Sequence, residues 1–141
     1  MIARINRAPA ETQVRRLLGM LYGEPDRLDD ESLELAIAER ARRMELSHAN
    51  IAFVQALRSL VGRHSRPARW SAWADAKRIA CPLLVILGGR DVLVGLTTGR
   101  RWRRDVPRAS VVTFPTTGHV AMLERPAEVA ELIREHVADQ Q

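Results

Sequence analysis

CPLLVILGGRDVLV, residues 81–94, decides how the rest of the chain is read. Five apolar residues, Leu83 to Leu87, run without a polar break between Pro82 and the pair Gly88–Gly89. No alternation leaves a face for water, so the run predicts a strand covered on both sides, as in a parallel sheet. Downstream, SVVTF at 110–114 predicts a second strand, and residues 96–104 between the two have the length of a short helix. A last helix opens near Pro126, whose missing N–H suits the first helical position. Glu128 and Glu131 complement its N-terminal dipole, and Val129, Leu132, Ile133 and Val137 recur at helical spacing. Parallel strands joined by a helix cross over right-handedly. Their carboxyl ends then point the same way, toward the edge at which open α/β sheets bind ligands.

Upstream, residues 9–64 read as helices. Val14, Leu17, Leu18 and Leu21 form one apolar stripe, broken by Gly23 and Pro25. Asp29 or Asp30 caps a second helix with Leu33, Ala36 and Ile37 on its inner face. Ser47 caps a third, carrying Ile51, Val54, Leu57 and Val61 as cap core, with Gly62 at its C-terminal end. Residues 63–80 link the halves and contain Pro67, Trp70 and Trp73; packing is the expected role of the tryptophans. The expected fold class is α/β: a helical segment over residues 1–70, then a strand–helix–strand–helix (βαβα) unit over 71–141.

At 141 residues the chain has the length of one domain. No run of about 18 apolar residues suggests a membrane span, and MIARINRAPAETQ at the start lacks the apolar stretch of a signal peptide. Cys81, the single cysteine, cannot close an internal disulfide, so a reducing, cytoplasmic setting is expected, with the thiol as a buried small hydrophobe. The net charge of +5 first suggests nucleic acid. The charge is spread, however: 12 arginines face 9 acids in residues 1–70, and 10 cations face 8 acids in 71–141. The densest run, GRRWRRD at 99–105, reads as the solvated face of the crossover helix with Trp102 turned inward, and nucleic-acid binding ranks last among the readings. His48, His64 and His136 share no ligand spacing with carboxylates or Cys81, so neither a metal nor a cofactor is expected.

Asp91 lies four residues beyond Leu87 and His119 five beyond Phe114. If the strands are neighbours, about 4.8 Å apart, both loops leave one edge at similar depth and the carboxylate can accept a hydrogen bond from the imidazole. Such a pair is the base and its orienter in a nucleophilic triad, with Gly88, Gly89 and Gly118 allowing tight turns. The residues alone leave two other readings open: Asp91 as a turn former beside Arg90, and His119 as a residue that caps or packs on the last helix.

CPLLVILGGRDVLV, the 28-residue interval between Asp91 and His119, and PRASVVTFPTTGHVAMLERPAEVAELIREHV at 107–137 together resemble the C-terminal third of the α/β-hydrolase superfamily. There a strand leads to a Gly-x-x-Asp loop, and the next to a Gly-His followed by a Pro-led helix. The resemblance implies Asp91 as triad acid and His119 as triad base. APAETQVRRLLGMLYGEPDRLDDESLELAIAERAR, in the first half, is similar to the caps of meta-cleavage-product hydrolases and related esterases, which implies a helical cap segment over residues 1–70 ahead of a terminal core unit over 71–141. Val92 stands where many relatives carry Pro, and Val120 where meta-cleavage hydrolases often carry Trp.

The superfamily's nucleophile sits in G-x-S-x-G on a strand-to-helix turn. The serines here, at 32, 47, 59, 65, 71 and 110, lie in no such context, and no His-Gly-rich segment offers oxyanion donors. The expectation is therefore a truncated member of a family acting on esters or related carbon–carbon bonds, inactive alone, whose small ester-like substrate requires a nucleophile-bearing half. Self-association through an exposed sheet edge is expected. The alternatives are a non-catalytic interaction or regulatory module and, last, a basic nucleic-acid binder.

Overall fold

A computed structural model describes residues 8–46, 48–64, 71–95 and 97–139. Ser47, Pro67, Trp70 and Leu96, assigned above to a cap, a link and a helix start, lie outside the described residues.

The first helix, α1 (Ala10–Leu21), ends where Gly23 and Pro25 were expected to break it, and a single 3₁₀ turn, Pro25–Arg27, follows. Asp29 caps α2 (Asp30–Glu45): its Oδ1 accepts from the Ser32 N–H at 2.7 Å. The buried Gln13 joins α1 to α2 by accepting from Arg40 Nε at 3.0 Å, and it donates to the Ala8 carbonyl just before α1 at 2.7 Å. In α3 (Ala49–His64) two expectations fail. Gly62 lies inside the helix rather than at its end, and the stripe expected as cap core is on the surface, with Ile51 60%, Leu57 47% and Val61 56% exposed. Helical periodicity reports that a helix has an apolar face; it carries no information on what covers it.

A short helix unforeseen in the link, α4 (Ala72–Ala76), is capped by Ser71. It holds Trp73 against Trp102 with ring centroids 4.9 Å apart, and the Arg101 guanidinium lies 4.0 Å over the Trp73 ring.

Strands β1 (Leu83–Gly88) and β2 (Ala109–Phe114) pair in parallel from Leu83↔Ala109 to Gly88↔Phe114, joined by α5 (Thr97–Asp105). A short helix α6 (Ala121–Glu124) precedes α7 (Pro126–Ala138), which has Pro126 at its first position as expected. Helix α5 packs on β2, and α6 and α7 pack on β1. Within this unit the expected double coverage of β1 is incomplete: Leu83 to Leu87 are half-buried and only Gly88 is buried. The reason is topological, because the described residues form a sheet of two strands, each with one edge outside the ladder. For the same reason Cys81, expected inside, is exposed at the start of β1. On α7 Val129 is buried, whereas Ile133 and Val137 are about half exposed.

Candidate active site

The register brings both strands to an end together, Gly88 opposite Phe114, and the two loops beyond them are tied by their backbones. Gly89 donates its N–H to the Phe114 carbonyl at 2.7 Å, and Arg90 donates to the Thr117 carbonyl at 2.9 Å. No described glycine has a positive φ, so these loops do not need glycine for left-handed backbone. They need it for closeness. A Cβ on Gly88 would fall on the Gly118 carbonyl oxygen, and one on Gly118 would fall on the Leu21 carbonyl oxygen and the Gly23 nitrogen. Three backbone segments therefore touch directly at this edge.

Asp91 follows in a turn of its own making. Its Oδ1 accepts the N–H groups of Leu93 at 2.8 Å and Val94 at 2.9 Å. Its Oδ2 lies 2.8 Å from His119 Nδ1. The Asp91 side chain is 5% exposed and that of His119 38%. Sequence spacing anticipated both positions, and the structure brings the two side chains together. The turn-former reading of Asp91 is also met, by the other oxygen of the same carboxylate.

Burial pushes the Asp91 carboxyl upward, but the Val94 N–H, the His119 ring and the Leu93 N–H together outweigh it and hold the pKa below the ordinary 3.8. An ionised carboxylate only accepts hydrogen bonds, so His119 must present Nδ1–H to it. In the neutral ring the lone pair is then on Nε2, the nitrogen that no other described residue engages, which is the state a general base requires.

The unfolded chain binds a proton at position 91 more tightly than the folded chain, so the carboxylate's contribution to stability is full above the ordinary value of 3.8 and is lost as pH falls through the lowered one. Urea unfolding between pH 7 and pH 2 is expected to show a steeper acid loss for the wild type than for Asp91→Asn, the two curves diverging in slope only below about pH 4.

The basic run is largely engaged within the fold. Arg101 and Arg104 meet Asp105, and Arg103 donates to the Val111 carbonyl at 3.0 Å. An open hollow of about 620 Å³ lies beside the Asp91 turn, lined by Leu93, Val94, Trp73, Arg100, Arg101 and Arg104 among others. Sequence reading passed over Glu124 and Arg125. Arg125 donates to Thr117 Oγ1 at 2.8 Å and to Thr116 Oγ1 at 2.9 Å, fastening the histidine loop from below. The only trace of this in the sequence was an acidic and a basic residue just before Pro126, a position that reads equally well as an ordinary helix start.

Helices leading into a parallel β–α–β unit, with an acid and a histidine on the two strand-end loops, agree with the resemblance to α/β hydrolases read from the sequence. A profile of the Alpha/beta hydrolase family matches residues 3–132, and the chain belongs to that family. It is 38% identical over 63 residues to the uncharacterized hydrolase YugF of Bacillus subtilis, covering 45% of this chain and 22% of that protein. It is 28% identical over 97 residues to the pimeloyl-[acyl-carrier protein] methyl ester esterase of Chromobacterium violaceum, covering 62% of this chain and 38% of that protein. Among solved structures, a meta-cleavage product hydrolase (CumD) superposes with a TM-score of 0.67 at 21% identity, over 96% of this chain and 48% of that one. The chain thus spans less than half the length of each of these proteins.

Proposed function

We propose that this chain carries the acid and the base of a serine-type ester hydrolase, with the nucleophilic serine and the oxyanion donors supplied by residues outside 1–141 or lost. The observation that supports this reading is the 2.8 Å contact between His119 Nδ1 and an Asp91 carboxylate whose other oxygen is held by two backbone N–H groups. In such a site Nε2 of His119 takes the serine hydroxyl proton as the oxygen attacks the ester carbonyl. Asp91 stabilises the imidazolium that forms. The ring then gives the proton to the departing alcohol, and a water deprotonated by the same nitrogen releases the acid. The methyl ester named for the Chromobacterium relative supports esters as the substrate class.

The chain alone is expected to cleave p-nitrophenyl acetate no faster than buffer, because a nucleophile elbow and its oxyanion donors account for several powers of ten in rate. Joined to a segment that carries a G-x-S-x-G serine and oxyanion donors, it is expected to gain an esterase activity that His119→Ala removes. Turnover that survives His119→Ala, in the chain alone or in the joined one, would overturn the proposal.

The open edges of β1 and β2 and the exposed apolar face of α3 support a second property, association of the isolated chain with itself. Sedimentation velocity at rising concentration is expected to give masses above the 15.9 kDa monomer. A monodisperse monomer that melts cooperatively would count against it.

A further inference from the structure

Glu124 ends the short helix α6 and is buried, 7% exposed. A carboxylate at that depth is costly unless its oxygens are well bonded. Among the described residues its partners are backbone N–H groups rather than cations. Oε1 accepts from Gly118 at 2.7 Å and Gly23 at 3.2 Å; Oε2 accepts from Gly23 at 3.1 Å and Glu24 at 3.1 Å. The donors come from two segments far apart in sequence, the exit of α1 and the residue immediately before His119.

The next peptide makes the same connection, since His119 donates its own N–H to the Leu21 carbonyl at 2.6 Å. The acid's loop reaches the same place. Arg90, the neighbour of Asp91, donates from its guanidinium to the Gly23 carbonyl at 3.0 Å. The peptide groups of Gly23 are therefore shared, the N–H by the histidine loop through Glu124 and the C=O by the aspartate loop through Arg90.

We propose that Glu124 is a positioning residue: its carboxylate fastens the His119 loop to the exit of α1, onto which Arg90 fastens the Asp91 loop, so that the docked helix holds the acid–base spacing in addition to the two-stranded sheet. This rests on the reading of Asp91 and His119 as a functional pair. The physical requirement is specific to a carboxylate. Both of its oxygens face N–H donors, so the isosteric Glu124→Gln must turn an NH₂ group toward either Gly118 or Glu24 and leave that donor facing another donor. Loss of a charge-assisted bond at Gly118 releases the residue that precedes the base.

The test uses the whole chain and needs no activity. Nitrogen chemical shifts of the ¹⁵N-labelled His119 ring report the ratio of Nδ1–H to Nε2–H tautomers. The wild type is expected to hold the Nδ1–H form, and Asp91→Asn to lose it. Glu124→Gln, with an unchanged circular dichroism spectrum, is expected to lower the ratio about tenfold, the effect of one hydrogen bond to a charged group. Arg90→Ala, an exposed change, is expected to lower it in the same direction and decides the matter if Glu124→Gln does not fold. A wild-type ratio in folded Glu124→Gln, or in Arg90→Ala when the first variant is unfolded, overturns the positioning role while leaving the pair intact. A wild type with no tautomer preference, unaltered by Asp91→Asn, instead removes the pair itself.

Discussion

Asp91→Asn is expected to lower the ester hydrolysis proposed for the chain joined to a nucleophile-bearing segment about 10⁴-fold in kcat, as loss of the orienting acid does in triad enzymes. The size follows from the two jobs the carboxylate performs. Oδ1 takes the N–H groups of Leu93 and Val94, and Oδ2 takes His119 Nδ1. An asparagine has one oxygen for both. Kept on the two backbone donors, it turns its NH₂ toward the ring, and the ring must then accept at Nδ1 and carry its proton on Nε2. That tautomer cannot take a proton from a serine. The fold is expected to survive, because the turn is retained. Steady-state kinetics should therefore show kcat falling with KM little changed, and a fall of less than tenfold would remove Asp91 from the mechanism.

Gly118→Ala is expected to destabilise the chain by about 3 kcal/mol, the upper end of what overpacking usually costs. The new methyl group meets the Leu21 carbonyl oxygen and the Gly23 nitrogen, both backbone atoms that cannot rotate away. For a chain of this length the corresponding fall in Tm is roughly 10 °C. Gly19→Ala is the control. It sits in α1 with nothing within 4 Å of its added Cβ, and should raise stability by up to about 1 kcal/mol through helix propensity alone. Equal effects of the two substitutions in a thermal melt would show that the backbone contact at Gly118 is not a close one.

These expectations draw on different amounts of sequence. LLVIL and SVVTF, the crossover between them, the Asp29 cap and Pro126 at a helix start were all legible, because each is a local preference written in neighbouring residues. Asp91 and His119 were legible as a pair because two parallel strands of matched register carry their loops to one edge. The exposed stripe of α3 and the half-buried β1 were misread for a common reason: an apolar pattern states a demand for cover, and whether cover exists depends on elements elsewhere. Glu124 was invisible because its partners are backbone N–H groups, those of Gly23 and Glu24 about a hundred residues away, and a backbone donor leaves no mark on residue type.

The residues alone therefore determined the α/β character, the order of the main elements and the placement of Asp91 and His119 on loops at one sheet edge, since periodicity, capping and turn chemistry act over a few positions. Only tertiary structure decided that Oδ2 of Asp91 meets Nδ1 of His119 at 2.8 Å, and that the exit of α1 fastens both loops. Those are distances between distant segments, and they arise where backbones close enough to exclude a single methyl group come to rest on one another.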